Sequence, residues 1–282
     1  MSLEDASLTE WLTTPPGQYL LQWEAAQLDE AVSDIFGYHA LQLGFPELGA
    51  LRGNRMPHQW LAVESEDAAQ PAGPVGGAGG ASSRAAAFVA EAGALPFSAA
   101  SLDLLVLPHT LELSDDPHAA LREAERVLVP EGRVVITGLN PNSLWGFRQS
   151  RTHLYRSVHQ RFGKRAPLGS SFLPGSGASM ASIGYWRLRD WLHLLGFEVE
   201  SARFGGYVPS FSSQKWLDRF AWMDSLGPRW WPIFGAMYCV VAVKRVRGMR
   251  LLEPVRKLRK AVAAAPAIVA SKDLTARRGP GG

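Results

Sequence analysis

The stretch Ala94–Pro141, ALPFSAASLDLLVLPHTLELSDDPHAALREAERVLVPEGRVVITGLNP, decides the architecture of this chain. Leu102–Leu107 (LDLLVL) is a continuous apolar run of the kind shown by a strand covered on both faces. Asp116 and Pro117 then open a helix in which Ala120, Leu121, Ala124, Val127 and Leu128 form one apolar stripe. Pro130, Glu131 and Gly132 turn the chain into a second buried strand, RVVITGL. Strand, helix and strand with short joints make a βαβ unit, so the sheet is parallel here.

Upstream, Tyr19, Leu20, Trp23, Leu28, Val32 and Phe36 are spaced as the apolar side of an amphipathic helix, with acids between them. Pro15, Pro16 and Gly17 precede it and Gly37 is its expected stop. HALQLG, ending in Gly44, and QWLAVES, carrying Glu64, follow as short strands. Residues 68–84 are rich in Gly, Ala and Pro without periodicity and read as a flexible loop. They form no phosphate loop, because no Gly-Lys-Ser/Thr follows. Downstream, Tyr185–Leu195 is helical and stopped by Gly196, while FEVESARF and GAMYCVVAVKRV read as a hairpin-like terminal pair. The chain divides into a domain over 1–247, with an aromatic cap insertion at 206–234, and a basic tail over 248–282.

Composition narrows the function. The net charge of +3 hides an asymmetry: Lys244–Gly282 holds 11 Lys/Arg against 2 Asp/Glu, a local +9 that leaves −6 on the remainder. The basic character belongs to the tail, so no specific nucleic-acid partner is expected for the domain. The acidic start MSLEDASLTEW lacks the order of a secretory signal, and no run approaches the roughly 18 apolar residues of a membrane span. A cytoplasmic protein is expected. The one cysteine, Cys239, excludes an internal disulfide and a multi-cysteine metal site. No metal is expected.

Several pieces of the opening stretch occur together in one known pattern: Glu91, Leu95-Pro96-Phe97, Leu102-Asp103, Leu121-Arg122-Glu123, Arg126-Val127-Leu128 and Pro130-Glu131-Gly132. In this order they resemble the class I small-molecule methyltransferases that use S-adenosylmethionine. The resemblance implies an α/β, Rossmann-like fold: a mostly parallel seven-stranded sheet, helices on both faces and an antiparallel C-terminal edge strand. S-adenosylmethionine is then the expected cofactor and a small molecule the methyl acceptor.

In that family the first strand ends in an acid followed by Gly-x-Gly-x-Gly. Here Gly44 matches the first glycine, Gln42 stands where the acid belongs, and Pro46 and Leu48 stand at the next two glycines. By the same resemblance Glu64, with Ser65, meets the ribose hydroxyls, and Glu91, with Ala92, meets the adenine. Phe45, Leu95 and Pro108 complete the cofactor set. His109, at the carboxyl end of a central strand where ligands of open α/β sheets bind, is the catalytic candidate. It is either a general base or acceptor contact, or a cap or hydrogen-bonded loop residue beside Thr110 and Glu112. Glu64 and Glu91 are otherwise solvated acids at strand ends.

Three alternatives stay open. The damaged glycine motif fits a non-catalytic binding or regulatory module on the same fold. A nicotinamide-dependent oxidoreductase is disfavoured, since no Gly-x-Gly-x-x-Gly follows the first strand. The aromatic cap (Trp216, Phe220, Trp222, Trp230, Trp231, Phe234), with Trp145 and Phe147, either roofs an acceptor pocket or packs onto the sheet. Together with the basic tail, the cap also suits peripheral contact with a membrane surface.

Overall fold

A computed structural model describes residues 14–64, 87–143, 183–208, 219–220 and 222–246. The loop 68–84, Ser65, Trp145, Phe147, Trp216 and the tail lie outside the described residues. Seven strands are present among the described residues: β1 (His39–Leu43), β2 (His58–Val63), β3 (Phe88–Val89), β4 (Leu102–Pro108), β5 (Leu128–Leu139), β6 (Phe197–Gly205) and β7 (Met237–Lys244). They form one sheet in the order β3-β2-β1-β4-β5-β7-β6. The first five pair in parallel, while β7 runs antiparallel to both β5 and β6. The expected terminal pair is therefore β6–β7, with β7 inserted beside β5.

Helices cover both faces. They are α1 (Pro15–Ser33), α2 (Thr110–Leu113), α3 (Pro117–Val127), α4 (Tyr185–Leu194) and α5 (Trp222–Trp230). Side chains alternate across a strand, so Leu104, Val106, Val135 and Val241 meet Leu28 and Val32 of α1 on one face. On the other, Leu105, Leu107, Val134, Ile136 and Val240 meet Leu121 and Ala124 of α3 and Leu188 and Leu192 of α4. Cys239 lies in the first of these clusters, and burial pushes its thiol up to about 12. That is the setting of an inert core thiol.

Local chemistry sets the element ends. Asp116 caps α3 by accepting from the amides of His118 (2.9 Å) and Ala119 (3.0 Å). Gly196 ends α4 at φ +83°. The start and stop of α1 differ from the sequence reading. Thr14 is the cap and the two prolines occupy the first turn, where an N–H is dispensable. The helix ends at Ser33 rather than Gly37, which leaves Phe36 exposed. Gly37 instead lies flush against Asp103, whose Oδ2 accepts from the amides of Tyr38 (2.8 Å) and His39 (2.9 Å). The Leu-Asp pair of β4 thus pins the start of β1.

The Pro130-Glu131-Gly132 joint is absorbed into β5 as a bulge: Leu102 faces Leu128, but Leu104 faces Arg133. Between β1 and β2, residues 44–57 hold no α-helix, only a 3₁₀ turn at Pro46–Leu48. Leu48, Ala50, Leu51 and Met56 fill that part of the face beside α1.

The middle of α1 meets the end of β6 closely. A Cβ on Gly205 would fall 1.9 Å from the ring of Trp23. Gly205→Ala is expected to cost about 1–3 kcal/mol by overpacking. Chemical denaturation of Gly205→Ala, Trp23→Leu and the double variant checks this, with the double variant less destabilised than the sum of the two.

Candidate functional site

The parallel strands β3, β2, β1 and β4 end side by side, and β1 and β4 flank the point where strand order reverses. Gly44 and Phe45 leave β1 there, Glu64 follows β2, Glu91 and Ala92 follow β3, and Pro108 and His109 end β4. Glu64 and Glu91 are exposed, while Ala92, Leu95 and Pro108 are buried. The sheet thus brings every described candidate to one edge.

The loop after β1 doubles back in left-handed backbone at Gly44 (φ +82°), Phe45 (φ +46°) and Gly49 (φ +50°). The two positions where the family pattern expects glycine, Pro46 and Leu48, lie instead in the 3₁₀ turn. Proline is at home in such a first turn. A Cβ on Gly44 would meet only the Thr110 hydroxyl, at 3.8 Å, and one on Gly49 would meet nothing within 4 Å. Space beside this backbone is open.

Gln42 is buried and holds the loop. Its Nε2 donates to the carbonyls of Gly44 (2.9 Å) and Phe45 (2.7 Å), and its Oε1 accepts from the amide of Ala50 (2.8 Å). Both ends of the amide are committed, so Gln42 acts on the loop. A carboxylate in its place has no proton to give the two carbonyls.

Across from this loop, His109 adopts φ +52° and its ring lies 5.4 Å from that of Phe45. Two non-glycine residues in costly left-handed backbone therefore meet at the switch point. The Thr110 hydroxyl donates to the carbonyl of Leu43 (2.9 Å), tying the end of β1 to the end of β4.

His109 is buried and both its ring nitrogens are engaged. Nδ1 lies 2.8 Å from Glu112 Oε2, and Nε2 lies 3.3 Å from Glu24 Oε2. Glu24 also accepts from the Thr137 hydroxyl, and Glu112 Oε1 accepts from the amide of Leu139 at 2.6 Å. Burial alone disfavours the imidazolium. The charge of Glu24 and the hydrogen bonds to Glu112 and Glu24 outweigh it and raise His109 to about 10. Burial raises Glu112, with the bond to His109 opposing. Neither ring nitrogen offers a lone pair to a substrate in this arrangement.

The turn that carries Glu91 and Ala92 is fixed from α3. Glu123 Oε1 accepts from the amide of Leu95 (2.8 Å), and Arg126 Nη2 donates to the carbonyl of Leu95 (3.1 Å). Arg126 also donates to both oxygens of Glu123 (2.8 and 2.6 Å). Glu123 and Arg126 occur with Leu95-Pro96-Phe97 because they are its clamp.

Thr110 and Glu112 are legible in the sequence as neighbours of a hydrogen-bonded His109, and Glu112 is its partner; Glu24 is not. Glu24 left a trace: it interrupts the four-residue spacing of Leu20, Leu28 and Val32, all buried on α1. Among the described residues no cluster of His, Cys, Asp and Glu suits a metal ion, and no helix is long and apolar enough to cross a membrane.

Residues 67–136 match the family described as methyltransferase domain. Over that stretch, about a quarter of the chain, the sequence is similar to this family. The uncharacterized protein YafS of Escherichia coli (strain K12) is 39% identical over 111 residues, which are 39% of this chain and 39% of that protein. The chain thus matches about two fifths of the length of this curated relative. An S-adenosylmethionine-dependent methyltransferase from Thermotoga maritima superposes on 84% of the chain and 94% of its own length (TM-score 0.51, 15% identity). A putative methyltransferase of Haloferax volcanii, solved with the activator Trm112, covers 79% of the chain and 90% of its own length (TM-score 0.50, 17% identity). At these identities the likeness is one of fold.

Two consequences of this arrangement are measurable. Gln42→Glu leaves buried carbonyls without donors, at a cost of about 1–3 kcal/mol. A drop in thermal midpoint, with no gain in affinity for S-adenosylmethionine, is expected. His109, raised when folded, contributes stability that is complete below the unfolded value of about 6.5 and lost as pH rises through about 10. His109→Gln strands two buried carboxyl groups, costing about 3–5 kcal/mol at neutral pH. Denaturation at pH 6.5, 8 and 9.5 should show the gap between wild type and variant narrowing as pH rises.

Proposed function

We propose that this domain binds S-adenosylmethionine along the carboxyl edge of β1–β4 and transfers its methyl group to a small-molecule nucleophile. The observation that carries the reading is the meeting of the Gly44–Phe45 loop with Pro108–His109 at the strand-order reversal, flanked by exposed Glu64 and Glu91. The residues present fit the group. Backbone at Gly44 and Gly49 is unobstructed, and the exposed carboxylates that follow β2 and β3 are of the type that accepts from the hydroxyl and amino donors of an adenosine. When bound, the cofactor supplies an electrophilic methyl on a sulfonium.

The chain's own residues then orient and enclose. Gln42 keeps the loop after β1 in shape, Glu64 takes the ribose hydroxyls, Glu91 the adenine edge, and Ala92, Leu95 and Phe45 line the apolar ring surface. His109 is a positioning residue: charged and clamped, it holds the β4 end against Phe45 and accepts no proton from the acceptor. In-line alignment against an activated sulfonium supplies most of what such a transfer needs.

One observation favours a second reading, a binding module without transfer. Gln42 accepts from Ala50 and carries no charge, so the position where the family has an acid offers no carboxylate to an ammonium group.

Calorimetric titration of the purified protein with S-adenosylmethionine and S-adenosylhomocysteine separates the readings. Micromolar binding is expected, abolished by Gly44→Asp, which puts a charged side chain at φ +82°. Glu64→Ala and Glu91→Ala should each weaken it about tenfold or more, the loss of one charge-assisted hydrogen bond. No binding at millimolar ligand overturns the methyltransferase reading.

A further inference from the structure

The cap helix α5 is inside out. On an α-helix each residue advances about 100°, which puts Asp224 and Gly227 on one side and Trp222, Leu226 and Trp230 on the other. The inner side is polar and tight. Asp224 accepts from the Tyr19 hydroxyl (2.6 Å) and the amide of Tyr207 (3.0 Å), and a Cβ on Gly227 would strike the Tyr207 ring at 2.3 Å. The outer side is apolar and exposed: Trp222 is 53%, Leu226 41% and Trp230 69% exposed. Trp231, Ile233 and Phe234 continue the exposed surface.

A helix that only packs a cap onto a sheet turns its apolar side inward. This one is fastened by a carboxylate and a glycine, leaving a contiguous apolar surface of the kind that marks an interaction site. Its place in the fold matters too. β6 leaves the sheet at Gly205, and β7 re-enters at Met237, opposite Leu139 at the carboxyl end of β5. Asn140, next in line, donates to the carbonyls of Ile233 (2.6 Å) and Gly235 (2.9 Å). The exposed surface is thus anchored at the same sheet edge as the candidate site.

The charges select the occupant. Asp224 is the only acid in the sequence from Phe220 to Val246, and it points inward. Exposed Arg229 shares the outer side with Trp222, and residues 247–282 carry nine Lys/Arg against two acids. Tryptophans beside cations, without acids, match the boundary between headgroups and acyl chains of an anionic bilayer. A second copy of the surface would bring like charges together.

We propose that the outer face of α5 and the turn Trp231–Phe234 seat on the surface of an anionic phospholipid bilayer. The methyl acceptor is then an amphiphile held in that bilayer, a step that rests on the methyltransferase reading. Trp and Phe enter the interface, Arg229 meets lipid phosphates, and the carboxyl edge of the sheet faces the membrane.

The test is flotation of the full chain with vesicles of phosphatidylcholine alone or with 30% phosphatidylglycerol, without cofactor. Binding to the anionic vesicles is expected, weakened several-fold by 0.5 M salt, together with quenching of tryptophan fluorescence by lipids with brominated chains. The variant Trp222→Ser/Trp230→Ser/Trp231→Ser should lose at least tenfold in vesicle partition while keeping its thermal midpoint and its affinity for S-adenosylhomocysteine. Trp230→Ala alone serves should the triple variant fold poorly. Absence of binding by wild type, or binding without quenching, overturns the proposal. So does a wild-type dimer in sedimentation velocity that the variant abolishes, which makes the surface an interface between copies. Cofactor affinity is read separately, so vesicle binding without cofactor binding sinks only the methyltransferase reading, and the reverse sinks only this one.

Discussion

The buried ionic cluster of Glu24, His109 and Glu112 is the constraint from which the site's geometry follows. It joins three separate parts of the chain: α1, the residue after β4, and the short helix α2. Through Thr137 and the Leu139 amide it also grips β5. Removing ions from water is expensive, and such a cluster persists only when geometry is good and remaining valences are filled. That requirement fixes the register of α1 on the sheet, since sliding the helix by one turn would remove Glu24 from the imidazole. It also accounts for the left-handed backbone of His109, a conformation that costs of order 1–3 kcal/mol and holds only where the surroundings over-determine it. Fixing His109 fixes Thr110, whose hydroxyl ties β4 back to the end of β1.

The sheet was legible from sequence because burial on both faces leaves a strong signature. LDLLVL and RVVITGL became β4 and β5, and the capped helix between them became α3. Elements decided by local pattern alone were read less well. The end of α1 was placed at Gly37 because Phe36 extended the apolar spacing, yet Phe36 projects into solvent and Gly37 serves a close contact with Asp103. A glycine needed for close approach and one needed for a helix stop look alike in one sequence. At His109 the residue after a central strand and its neighbour Glu112 are visible in the sequence, but the second carboxylate, Glu24, 85 residues away, is not. Glu24 was the recoverable signal, an acid standing within a buried stripe.

The loop after β1 shows how a motif can lose its letters and keep part of its physics. What Gly-x-Gly-x-Gly provides is backbone that can turn left-handed and approach a ligand without side chains in the way. Here that demand has shifted to Gly44, Phe45 and Gly49, and a 3₁₀ turn occupies the interval where the other glycines would stand. Proline and leucine are compatible with that turn. The amide of Gln42 gives the arrangement its internal bracing, because only a group with donors and an acceptor can serve two carbonyls and an amide at once. The altered letters are therefore mutually consistent rather than independent losses.

The same consistency separates α5 from the rest of the molecule. Elsewhere each helix buries its apolar stripe: α1 through Leu28 and Val32, α3 through Leu121 and Ala124, α4 through Leu188 and Leu192. In α5 the tryptophans point away, and the anchoring falls to Asp224, held between Tyr19 and Tyr207. A half-buried carboxylate takes the place of an apolar contact on the opposite side of the helix. It also withdraws the one local acid from the exposed surface.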